Sequence, residues 1–146
     1  MGVHVIRTAL GLLQHYVPEE HAAVRRKVLT IAFSPTACGP GALACITQRL
    51  HRVAILAVPP EQHGVLETAI SISHEARHIW LWPDGSSTLL PHRCGRCDTA
   101  ESQATDAIYQ RDGEVRARIQ LGLEVDAILA SEDRRRRHAD CGWLLG

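Results

Sequence analysis

The sequence predicts a single α+β domain over residues 1–146, with a short antiparallel sheet packed on a central helix and a C-terminal helix completing the core. Three observations lead there. The chain has 146 residues, 45% hydrophobic and 22% charged, the size and balance of one globular domain with its own core. Its apolar residues change period along the chain, from helical to strand-like and back to helical. The β-prone runs lie together and do not alternate with helices, which argues against a doubly wound βαβ sheet.

From His4 to Tyr16 the apolar positions Val5, Ala9, Leu12 and Leu13 fall at helical spacing, and Pro18 ends the segment. Glu19 to Lys27 begins a second helix. Val28 to Phe33 is β-prone and stops at Ser34-Pro35, and Cys38-Gly39-Pro40-Gly41 is a loop. Ala44 to Thr47 and Val53 to Val58 read as two strands joined by a turn near Leu50-His51, closed by Pro59-Pro60. Glu61 to Trp80 is the central helix, with an apolar stripe of Val65, Ala69, Ile72, Ala76 and Ile79. Trp82-Pro83-Asp84-Gly85 is a turn and Ser86 to Cys97 a connection. Asp98 caps a last long helix from Thr99 to Ala130, which Gly113 or Gly122 interrupts.

Formal net charge is zero and the sequence pI about 7.1. No global field draws a polyanion, so nucleic acid is not an expected partner. The run Arg134 to Arg137 reads as a solvated helix end or tail. No stretch has the roughly 18 to 20 apolar residues of a membrane helix. No secretory signal is visible at the start of the chain, and a cytoplasmic location is the expectation. Five cysteines, an odd number with uneven spacing, do not read as a secreted disulfide framework.

His74-Glu75-Ala76-Arg77-His78 carries the chemistry. Two histidines at i and i+4 leave one helix face together, close enough to ligate one ion. The glutamate between them points to the side of the pair, where it accepts a proton from a metal-bound water. Zinc suits two imidazoles, and lowers the pKa of a bound water to about 7. The expected partner is then a peptide or protein substrate.

A catalytic zinc takes a third protein ligand and keeps an open position. Asp84 lies in an ordinary turn sequence. His92, with Cys94 and Cys97 nearby, has suitable chemistry in a connection of undefined geometry. Glu101 lies within about 40° of Ile108, Val115 and Ile119 on the last helix, at about 100° per residue. A carboxylate on a core-facing stripe needs a partner, and an ion is one. Asp98-Thr99-Ala100-Glu101 also matches a capping box, which would give Glu101 a local role. Asp106 points about 140° away from Glu101. Asp112 shares the Glu101 face, where it suits the outer nitrogen of a ligand histidine.

His74-Glu75-x-x-His78 followed by Glu101-Ser102-Gln103-Ala104 on a later helix resembles the zincin metallopeptidases of gluzincin type. It is most similar to the small bacterial and phage enzymes of the ImmA/IrrE group. The resemblance covers roughly Val58 to Tyr109. It implies a small zincin-like domain, Zn2+ held by His74, His78 and Glu101, and Glu75 as general base in peptide-bond hydrolysis. The group usually has glycine where this chain has Arg77, and an aromatic-alanine pair where it has Ala107-Ile108.

Other features have plainer readings. Cys94-Gly95-Arg96-Cys97 is a local structural pair, as disulfide or thiols, and Cys38 and Cys45 are one thiol each. Trp80 and Trp82 pack the helix end. His51 and His63 are the histidines available to assist an oxyanion. Two other classes fit the sequence: a metal-binding regulatory or interaction module without turnover, and a thiol-redox protein using Cys94 and Cys97.

Overall fold

The structure is a computed structural model that describes residues 1–47, 50–81 and 100–144. Side chains are described except at 47, 50, 51, 79–81, 100–105 and 142–144. In chain order the elements are α1 (Gly2–Tyr16), α2 (Pro18–Lys27), β1 (Thr30–Phe33), β2 (Ala44–Thr47), β3 (Leu50–Leu56), α3 (Pro60–His63), α4 (Val65–Leu81) and α5 (Ala100–Leu144). The fold is α+β, mostly helical, with one small sheet.

The fully buried Val17 separates α1 from α2. Pro18 opens α2 at a position where its missing N–H costs nothing. Glu19 and Glu20 sit in the first turn of α2, and Arg25, Arg26 and Lys27 in its last, in accord with the helix dipole.

The sheet order is β1-β3-β2. β2 pairs antiparallel with β3, but β1 pairs parallel with it, Ala32 opposite Ile55. The sheet is therefore mixed, not antiparallel. The chain leaves β1, passes to the far side and returns up the middle, so the first and third strands point the same way. β3 starts at Leu50, inside the region expected to turn, and ends at Leu56. Ala54 and Leu56 alternate onto the core face, while Ile55 points away from it beside Cys45.

Cys38 and Cys45 are not separate thiols but form a disulfide, their Cα atoms 5.5 Å apart. Gly39 and Gly41, at φ 77° and 76°, bend the loop through a region that side chains disfavour. That bend returns Cys38 to the start of β2. Cys94 and Cys97 lie outside the described residues.

The central helix expected from Glu61 is broken at Gly64, whose φ is 87°. α3 ends there, and the Gly64 carbonyl accepts the Thr68 amide at 2.9 Å as α4 begins. α4 touches α1, α2, α3, α5, β2 and β3. It is buried nearly all round, since Thr68, Ala69, Ile70, Ile72, Ser73, His74, Glu75 and Ala76 are all inside. The expected stripe is thus only part of its buried surface, and polar side chains are carried into the core beside it.

α5 runs unbroken for 45 residues, so neither Gly113 nor Gly122 interrupts it. Ile108, Val115 and Ile119 face the core. At Gly122 the ring of Tyr16 occupies the space a Cβ would take. The Arg134 to Arg137 run is exposed on this helix, with Arg137 paired to Asp133 one turn back. Among the described residues no helix is long and apolar enough to cross a membrane.

Candidate metal centre

α4 brings the two histidines together as the i, i+4 spacing requires. His74 Nε2 and His78 Nε2 lie 3.0 Å apart. Two nitrogens on one tetrahedral zinc, each at about 2.05 Å, stand about 3.3 Å apart, so the pair needs little adjustment to share an ion. His74, Glu75 and His78 form a group whose ligand atoms all lie within 4.8 Å of one another, and it can hold a metal ion.

The outer nitrogen of His74 is held from α5. His74 Nδ1 donates to Asp112 Oδ2 at 2.7 Å. The bond fixes the ring and leaves Nε2 with its lone pair facing His78. The helix-face reasoning that placed Asp112 for this role thus describes its position. Tyr109, half-exposed on α5, lies edge-on to His74 with ring centroids 5.2 Å apart.

Glu75 is 4% exposed. Burial pushes its carboxyl from the ordinary 4.5 up to about 7, with His74 opposing the shift and Asp112 adding to it. A group poised near neutrality both accepts and returns a proton there.

His74 and Glu75 open onto a cleft of about 620 Å³. One wall is the loop from Pro40 to Leu43 with Ala44 of the edge strand β2, and the facing wall includes Tyr109, Asp112 and Gly113. Glu67 and Arg116 also line the cleft, paired through two contacts at 2.8 and 3.2 Å. Ser71, one turn before Glu75, lies 2.9 Å from His63 Nε2. His63 therefore reaches the cleft wall through Ser71, whereas the His51 side chain is outside the described residues.

α4 and α5 run antiparallel. Glu67 meets Arg116, His74 meets Asp112, and Arg77 meets the Ile108 carbonyl. Along that register Glu101 stands about 10 Å beyond Ile108 on the axis of α5, at the level where α4 has ended. Its side chain lies outside the described residues, as do Asp84, His92 and Trp82 and the Trp80 side chain. Asp106 is exposed and accepts from Gln110 at 3.1 Å, so it does not belong to the cluster.

Sequence reasoning did not anticipate Glu20, Ser73 or Arg77 at the site. Ser73 and Arg77 form the helix ridge beside the histidine ridge, a signal available from spacing alone. Glu20 donates no such signal, being 53 residues from its partner Ser73. Compared with protein families, with curated proteins and with solved structures, the chain finds no match.

Proposed function

We propose that this chain is a zinc-dependent metallopeptidase of the zincin type. The observation that carries the reading is the histidine pair, its Nε2 atoms 3.0 Å apart, beside a buried glutamate on an open cleft. His74 and His78 are two ligands. The third ligand is proposed to come from residues 82–101, with Glu101, Asp84 and His92 as the candidates. Two imidazoles and a carboxylate are a donor set that suits zinc.

Zinc, when bound, polarises the scissile carbonyl and makes a water acidic enough to attack at neutral pH. The residues do the rest. Glu75 takes the proton of the attacking water and hands it to the leaving amine. Asp112 keeps His74 oriented. Among the described residues β2 is an edge strand beside the cleft, and that edge suits an extended peptide. Leu43 and Tyr109, both exposed at the rim, suit apolar side chains flanking the scissile bond.

The test is metal content with hydrolysis of quenched-fluorescent peptides. One zinc per chain is expected in the wild type, lost in His74→Ala and in one of Glu101→Ala, Asp84→Ala and His92→Ala. Glu75→Gln should keep zinc and lose hydrolysis. No zinc under metal-replete conditions, or hydrolysis retained in Glu75→Gln, would end the reading.

A further inference from the structure

Arg77 stands between the two motif histidines and is not one of the motif's fixed residues, yet its side chain is only 14% exposed. Both terminal nitrogens of its guanidinium donate hydrogen bonds. Nη1 donates to the Ile108 carbonyl at 2.9 Å, and Nη2 donates to Ser73 Oγ at 2.9 Å. Nη2 is also ion-paired with Asp112 Oδ1 at 2.9 Å and Nε with Glu20 Oε2 at 3.5 Å, neither contact having hydrogen-bond geometry. Ser73 donates in turn to the same Glu20 oxygen at 2.7 Å. The other Glu20 oxygen accepts from Arg111 Nε at 2.7 Å.

The two oxygens of Asp112 are therefore divided. Oδ2 takes His74 Nδ1, and Oδ1 takes Arg77. A carboxylate held by a hydrogen bond at one oxygen can swing about its own bond, and a guanidinium 2.9 Å from the other oxygen opposes that swing by charge. We infer that Arg77 is a positioning residue for the histidine pair: anchored by Glu20 of α2, it locks Asp112, and Asp112 locks the ring of His74 with Nε2 toward His78. The site is thereby tied to three helices, although its ligands on α4 come from one. Glycine at this position would leave Asp112 and Glu20 as buried carboxylates without Arg77 between them. The inference rests on the proposed zinc reading only for the identity of the ion.

Arg77→Lys separates positioning from plain structural support. It keeps the charge but loses the planar fork that spans several acceptors. The deciding measurement is the nitrogen NMR of the His74 ring in metal-free protein, beside thermal unfolding and zinc affinity by chelator competition. Wild type should show one tautomer, protonated at Nδ1. Arg77→Lys should show a mixture, and zinc affinity should fall about 10- to 100-fold, the usual effect of losing a ligand's orienting partner. Glu20→Gln should shift both readouts in the same direction by less. An unchanged His74 tautomer in a folded Arg77→Lys protein overturns the inference, whatever happens to the melting temperature. If wild type binds no zinc, the metallopeptidase reading falls, and the tautomer measurement still decides the role of Arg77.

Discussion

Glu75→Gln is the substitution whose effect on stability follows most directly from burial. In metal-free protein the Glu75 carboxyl sits at about 7 instead of 4.5, chiefly through desolvation. The folded state then holds a proton that the unfolded chain releases. Below about pH 4.5 both states are protonated and the full stability is present. As pH rises the unfolded chain ionises first, so stability falls until the folded form also ionises near pH 7. The interval corresponds to roughly 3 kcal/mol, a large share of the 5 to 15 kcal/mol typical of a domain. Urea unfolding with a chelator present, at steps from pH 4.5 to 8, measures it. The wild type should lose roughly 3 kcal/mol relative to the glutamine variant across that range. The variant should therefore be the more stable protein at pH 8. Zinc should flatten the wild-type slope, since a cation beside Glu75 favours its charged form. A wild-type-to-variant difference that stays constant with pH would refute the burial argument.

Two glycines on α5 should respond in opposite ways. A Cβ at Gly113 meets nothing within 4 Å, so Gly113→Ala should stabilise the helix by about 0.5 to 1 kcal/mol in urea unfolding. At Gly122 a Cβ overlaps the Tyr16 ring, whose hydroxyl donates to Asp126 at 2.5 Å. Gly122→Ala should then cost about 1 to 3 kcal/mol by the same assay. The Cys38–Cys45 bridge spans a sequence separation of 7, and loop closure of that size is worth about 2.5 kcal/mol. The Cys38→Ser, Cys45→Ser double variant should lose that much stability, with extra hydrogen exchange confined to the cleft-lining loop. Asp106→Ala, at an exposed position, should leave metal content unchanged within error.

What the sequence made legible was local. The helical period located α1, α4 and α5, Pro18 marked the α1 boundary, and i, i+4 spacing put His74 beside His78. The helix wheel also gave Asp112 its face, because a long unbroken helix keeps its register. Long-range features were hidden. The parallel pairing of β1 with β3 depends on which side of the sheet β2 passes, and no residue in the strands encodes that. The disulfide depends on Gly39 and Gly41 turning the chain back, so Cys38 and Cys45 looked like separate thiols. Glu20 reached the site through the packing of α2 on α4, which nothing in its local sequence showed. The break at Gly64 was readable in principle, since glycine interrupted an otherwise helical window, but the periodicity ran across it.

The three buried acidic groups of the core, Glu20, Asp112 and Glu75, need different explanations. Glu20 and Asp112 are each matched by arginines, Glu20 by Arg111 and Arg77, Asp112 by Arg77. A network of that kind is accounted for by packing alone, since buried charges persist when they are paired. Glu75 is not matched in that way: the attraction of His74 does not offset what burial costs it, and its carboxyl moves up to about 7. Packing would be served better by glutamine or an apolar residue at that position. The glutamate makes physical sense where a positive charge enters beside it, and the two imidazole nitrogens at 3.0 Å are where such a charge would be held. The His74, Glu75 and His78 group could hold such a charge, and the Glu75→Gln titration with and without zinc tests whether it does.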